Sequence, residues 1–130
     1  MFTIEEIKAA HTKVKSGADF PKYISEIKAM GVNGFVTYVI DSHTEYTSAN
    51  GQTIKSKPQY AALIIAEQSN IEQFRHDLKI HQQGQTNYIT FCNDCARSGI
   101  EKWIVDLEKM TCIYYDKQAN EILVETIPGE

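Results

Sequence analysis

A chain of 130 residues has room for one domain and hides roughly two-thirds of its unfolded surface on folding, so neither metal nor disulfides are needed to hold it together. An apolar fraction of 42% excludes a disordered chain, and a net charge of −4 argues against a dedicated nucleic-acid binder, which needs a concentrated positive field. Lys8, Lys13, Lys15, Lys22 and Lys28 gather near the start, but Glu5, Glu6, Asp19 and Glu26 lie among them, which reads as a solvated face of mixed sign.

Thr3 followed by Glu6 is a capping box and starts a helix, with Ile4, Ile7, His11 and Val14 on one stripe and Ser16-Gly17 as its end. Asp19 is placed to cap a second helix that tolerates Pro21 in its first turn and carries Phe20, Tyr23, Ile24 and Ile27 inward. Gly31 and Val32 suit its ending, a left-handed residue followed by an apolar contact to Ile27. The period then changes. Residues 35–40 are β-branched and aromatic, hence a strand, and 45–49 form a weaker one. Asn50-Gly51 predicts a type I′ hairpin turn, with 52–55 pairing back. After Pro58, residues 60–67 are short, apolar and flanked by polar residues; periodicity does not separate strand from helix there, and a strand is the expectation.

Ser69 and Glu72 form a second capping box, opening a helix with Ile71, Phe74, Leu78 and finally His81 on its inner stripe, stopped by Gly84. A fourth helix runs from about residue 87 to 98, capped by Thr86 and ended by Gly99 with Ile100 against Cys95. Strands at 103–107, 111–115 and 121–127 follow. In the first, Trp103, Val105 and Leu107 point one way and Lys102, Ile104 and Asp106 the other, because side chains alternate along a strand. Short connections make the three an antiparallel meander in which Cys112 and Tyr114 share the face of Trp103 and Val105. The expected fold is α+β: an N-terminal hairpin plus a C-terminal three-stranded meander, packed against about four helices.

His81-Gln-Gln-Gly-Gln-Thr-Asn-Tyr-Ile-Thr-Phe-Cys92, Gly99-Ile-Glu-Lys-Trp-Ile-Val-Asp-Leu107 and Met110-Thr-Cys-Ile-Tyr-Tyr-Asp116, closing with Ile127-Pro128, resemble the YdfO-like family of short bacterial and prophage-borne proteins. The likeness covers nearly the whole chain and implies an α+β fold. Some members carry the label "phage envelope protein". The family brings no catalytic or binding residue.

Cys92-Asn-Asp-Cys95 has the spacing of zinc knuckles and thiol redox sites. It lies in mid-helix rather than at a helix start, Asp94 adds a charge adverse to thiolate, and a zinc site would need Cys112, His81 or His11 to converge. Two small core residues beside Tyr88 and Phe91 are the favoured account. Asp41, His43 and Glu45 fall at every second position, one face of a continued strand, which suits a metal or an acid/base pair; a polar turn is favoured over either. His11 and His81 sit on apolar stripes as boundary histidines that could line one pocket together with Tyr88, Trp103 and Tyr114. Gln82, Gln83 and Gln85 around Gly84 either satisfy their own helix end or meet a ligand. Ile104 and Tyr115 form a candidate patch on the opposite sheet face.

The longest apolar run, 60–66, is far short of the roughly 20 residues of a membrane helix. The N-terminus lacks the basic start and apolar core of a signal peptide. Three cysteines are too few and too unevenly spaced for a secreted framework. Together these predict a cytoplasmic protein with no membrane partner and no cofactor, binding an unknown protein or small molecule, with a homodimer as one form. The alternative is a metal-dependent or thiol enzyme using Asp41, His43 and Glu45, or Cys92 and Cys95 with a histidine.

Overall fold

The structure is a computed structural model that describes residues 2–14 and 19–127. In chain order the elements are α1 (Ile4–His11), α2 (Phe20–Ala29), β1 (Val32–Tyr38), β2 (Thr44–Ser48), β3 (Thr53–Lys55), α3 (Ile71–Gln82), α4 (Tyr88–Arg97), β4 (Lys102–Asp106), β5 (Thr111–Tyr115) and β6 (Glu121–Thr126). The class is the α+β expected from the period changes. The hairpin and the meander, however, are one sheet: β1 pairs antiparallel with β4, giving the order β3-β2-β1-β4-β5-β6. No local pattern encodes that junction, because it joins strands separated by two helices.

One face of this sheet is dry. Phe35, Thr37, Tyr46, Trp103, Val105, Cys112 and Tyr114 are buried on it, and the ladder sets Trp103 opposite Tyr114 and Val105 opposite Cys112. The helices cover that face as two pairs, α1 with α2 and α3 with α4. Fully buried Phe74 of α3 packs against Phe91 and, edge-on, against Tyr114, tying the second pair to the sheet. Burial of that one side chain stabilises the fold by about 1.5–3 kcal/mol relative to exposure.

Thr3 caps α1 as expected, its hydroxyl accepting from the Glu6 N–H. The helix ends at His11, so Val14 lies in the turn beyond it; the Thr12 N–H makes the last four-residue bond, to the Lys8 carbonyl, its hydroxyl donates to the Ala9 carbonyl, and the Lys13 and Val14 N–H groups tighten to three-residue bonds. The expected end at Ser16-Gly17 lies outside the described residues. Asp19 makes no side-chain capping bond to α2, while Pro21 occupies the first turn. The other two caps sit one residue later than predicted. Asn70, not Ser69, accepts from Gln73 N–H, and Asn87, not Thr86, accepts from Thr90 N–H. A short amide side chain satisfies the free N–H at least as well as a hydroxyl, so the neighbouring asparagine wins in both cases.

Three further expectations are corrected. The loop between β2 and β3 is not a type I′ turn: Gly51 has φ +89°, but Asn50 is not left-handed. Asn50 instead uses its side-chain oxygen to accept from Gln52 N–H, which closes a four-residue loop. The first strand runs from Val32 to Tyr38, not to Ile40, because the chain reverses tightly through Ser42 at φ +62°. Residues 60–67 are not a strand. Their N–H groups go to loop and helix-end carbonyls, Leu63 to Ile40 and Ala66 to Ala96, so the segment is an extended strap with Ile65 buried and Ile64 facing out. The strap passes Gly99, where a Cβ would lie 2.7 Å from the Gln68 carbonyl oxygen. Glycine is required there twice over, since φ is +79°.

Candidate functional site

Two helix pairs on one sheet leave a gap between them. It is a partly open cleft of about 820 Å³, within the size range of small-molecule sites. Its floor is the dry sheet face: Phe35 and Thr37 of β1, Thr44 and Tyr46 of β2, Trp103 of β4, Cys112 and Tyr114 of β5. Ile7 and His11 of α1 and Tyr23 of α2 form one wall; Leu78 and His81 of α3 and Tyr88 and Phe91 of α4 form the other. All five pocket candidates from the sequence, His11, His81, Tyr88, Trp103 and Tyr114, therefore line this one cleft.

Most polar groups in the cleft satisfy one another. Thr37 and Thr44 hydroxyls face each other at 2.9 Å, Ser42 and Tyr88 hydroxyls at 2.5 Å, and Tyr23 and Tyr46 hydroxyls at 3.5 Å. Burial raises the Tyr23, Tyr46 and Tyr88 phenols above their ordinary value, so they stay neutral. His81 stacks on Phe91 and directs Nδ1 to the Thr86 carbonyl and hydroxyl, both at 3.1 Å. Its pKa is lowered by burial, with the Thr86 carbonyl pulling the other way.

His11 differs. Its ring lies edge-on between Tyr23 at 5.2 Å and Tyr88 at 5.3 Å, bridging the two helix pairs. Among the described residues its nitrogens make no hydrogen bond. Burial lowers its pKa, so the imidazole is neutral near pH 7. At the mouth stand Lys8, Lys55 and Lys57 against Glu5 and Glu125, and the Glu125 carboxylate is already held by the Gln82 side-chain amide at 3.1 and 3.2 Å. Gln82 thus bonds across to β6 rather than closing its own helix end.

Asp41 and His43 do meet, Oδ1 to Nδ1 at 2.5 Å, with Asp41 Oδ1 also accepting the His43 N–H at 3.0 Å. These bonds hold the Asp41 carboxyl below its ordinary value although partial desolvation opposes them. The pair lies outside the cleft. His43 stacks on Tyr38 at 4.5 Å, and Glu45 faces the Tyr38 hydroxyl on the outer side of the sheet. The arrangement is a turn lock, with Asp41 folding back on its own chain where Ser42 is left-handed.

Cys92, Cys95 and Cys112 are free thiols, 0%, 0% and 2% exposed. Burial pushes Cys92 up to about 11 and Cys112 up to about 12, and raises Cys95 well above its ordinary value. Among the described residues no three of His, Cys, Asp or Glu converge as metal ligands, so the Asp41, His43 and Glu45 set and the cysteine–histidine set do not form. Sequence reasoning missed the inward threonines Thr37 and Thr44 and the phenol pair Tyr23–Tyr46. A polar residue on the apolar parity of a strand was the available signal, but pairing them needs the register.

The fold and the cleft define a single-sheet α+β protein with a hollow between its sheet and its helices. The chain belongs to the family described as "Protein of unknown function (DUF1398)", which it matches over residues 8–126. No curated protein matches it.

Proposed function

We propose that this protein binds a small, largely apolar molecule in the cleft between its sheet and its helix pairs, without chemistry of its own. One observation carries the reading: a hollow of about 820 Å³ walled by aromatic rings, in which hydroxyls pair with one another and leave few polar groups open. An apolar body entering it would shed water at reduced polar cost, since the Thr37–Thr44 and Ser42–Tyr88 hydroxyls already partner each other. A cytoplasmic setting is compatible with three cysteines that form no disulfide. The YdfO-like resemblance and its prophage and phage-envelope label are compatible with this reading as lineage, and a hollow that takes a small molecule does not call for an envelope role.

Trp103, the chain's one tryptophan, lies on the cleft floor and makes the test direct. Titration with 2-naphthalenemethanol should shift Trp103 emission at one molecule per chain. At a hundredfold excess over Kd the ligand adds about 2.7 kcal/mol to stability, so the melting temperature should rise as well. If small aromatic and aliphatic probes leave both emission and melting unchanged, the reading fails.

A second reading rests on the outer sheet face. Val36, Ile104, Ile113 and Val124 stand opposite one another on four adjacent strands, an unbroken β-branched row with Val124 55% exposed. Lys102 and Tyr115 flank it on one side and Asp106 on the other, so a second copy rotated about the row would set Lys102 against Asp106. A homodimer through this face predicts twice the chain mass in dilute solution and its halving in Ile113→Lys. A monomer at micromolar concentration would remove it.

A further inference from the structure

We infer that the molecule held in the cleft is an aromatic carboxylate, its ring system lying over Trp103 and its acid group on the imidazole of His11. The inference rests on the binding reading above and names the chemistry that the cleft selects.

Two features choose the ligand class. The interior is mainly aromatic, and flat rings meet edges and faces of Phe35, Tyr46, Phe91, Trp103 and Tyr114 in offset or edge-on contacts worth about 0.5–1.5 kcal/mol per pair beyond area burial. Flexible alkyl chains gain no such term. Within that wall the Thr37–Thr44 and Ser42–Tyr88 hydroxyls bond to each other, Tyr23 and Tyr46 approach at 3.5 Å and His81 is held by Thr86, whereas His11 makes no hydrogen bond among the described residues. A neutral imidazole can donate one N–H to a carboxylate, and Tyr23 and Tyr88 hold its ring in place from either side.

Charge at the mouth points the same way. Lys8 lies one turn before His11 on the same helix and also lines the cleft, as do Lys55 and Lys57 from β3 and the segment after it. None of these lysines has an ion-pair partner among the described residues. Glu5 and Glu125 oppose them, Gln82 donating to the Glu125 carboxylate without cancelling its charge, which leaves three lysines against two carboxylates. An anion therefore meets net positive potential on entry and a hydrogen-bond donor inside.

The test compares three probes of similar size by Trp103 fluorescence and calorimetry: 2-naphthoate, 2-naphthalenemethanol and decanoate. The naphthoate should bind at least about tenfold tighter than the neutral alcohol, the size of one charge-assisted hydrogen bond, and tighter than the flexible acid. His11→Phe preserves the ring between the two tyrosines and should bring the two naphthalene affinities within about threefold. Exposed Lys8→Gln should narrow the gap and flatten its dependence on salt, and it serves should the His11 variant fail to fold. Equal affinity for acid and alcohol, or tighter decanoate, overturns the carboxylate or the aromatic assignment while leaving cleft binding intact. An acid preference unmoved by both substitutions overturns the role of His11 and Lys8. If no probe binds, the binding reading itself fails.

Discussion

The sharpest difference between a filled core and a thiol site is how the three cysteines react. Cys92 is pushed up to about 11 from an ordinary 9.0, so at pH 8 roughly one molecule in a thousand carries the thiolate, against roughly one in ten for an unperturbed group. Ionisation alone thus slows attack on a disulfide reagent by about two orders of magnitude. Cys112, at about 12, is slower by roughly another tenfold. Exposures of 0% for Cys92 and Cys95 add a steric barrier that only opening of the fold removes, while Cys112, on the cleft floor, is 2% exposed and keeps the protection of its raised pKa. In native protein at pH 8, 5,5′-dithiobis(2-nitrobenzoic acid) should therefore release almost no thionitrobenzoate over an hour. In 6 M guanidinium it should release three equivalents at once, one for each cysteine. Intermediate urea should give a labelling rate that follows the unfolded fraction. A single thiol reacting in native protein at the rate of a free cysteine would refute the core assignment and revive the thiol-enzyme alternative.

Other substitutions probe the fold and its titration. Asn70→Ala should cost about 1 kcal/mol in urea denaturation, while Ser69→Ala stays within about 0.5, because the asparagine and not the serine accepts the Gln73 N–H. Gly99→Ala should destabilise by about 1–3 kcal/mol, since a left-handed backbone and a carbonyl 2.7 Å from the new methyl both resist it; an effect below 0.5 would show that the strap moves aside freely. His11 and His81 have folded pKa values below the ordinary 6.5, so the unfolded chain binds protons more readily. Their contribution to stability is complete above about pH 6.5 and declines as pH falls from there toward the lowered values. Urea midpoints should fall between pH 7.5 and 5.5, and the double variant His11→Phe, His81→Phe should flatten that slope; an unchanged slope would assign it to other groups.

Much of the fold was legible because its signals are local. Trp103, Val105 and Leu107 alternate with polar neighbours, and their burial follows from strand geometry whatever packs above them. Gly99 followed by Ile100 reads as a helix ending, and the Ile100 N–H does bond to the Cys95 carbonyl at 2.9 Å. Errors arose where two short polar residues competed for one role, as at Ser69 and Asn70. They also arose at Asn50, where the asparagine used its side chain rather than a left-handed backbone. The strap at 60–67 is a short apolar run of the kind a buried strand or helix shares, but it has no ladder partner, and a local run does not report partners.

Sequence by itself determined the class, the helices, the six strands and which side of each was dry, but not the strap at 60–67, since the former follow from period two, period 3.6 and capping chemistry acting within a few residues. Only the tertiary structure decided that β1 lies beside β4, that the helices pair two and two, and that a hollow separates the pairs. His11 and Trp103 are 92 positions apart in the chain, and nothing local relates them. What brings both to one cleft is the packing of two helix pairs over one six-stranded sheet, which sets residues of α1 above residues of β4.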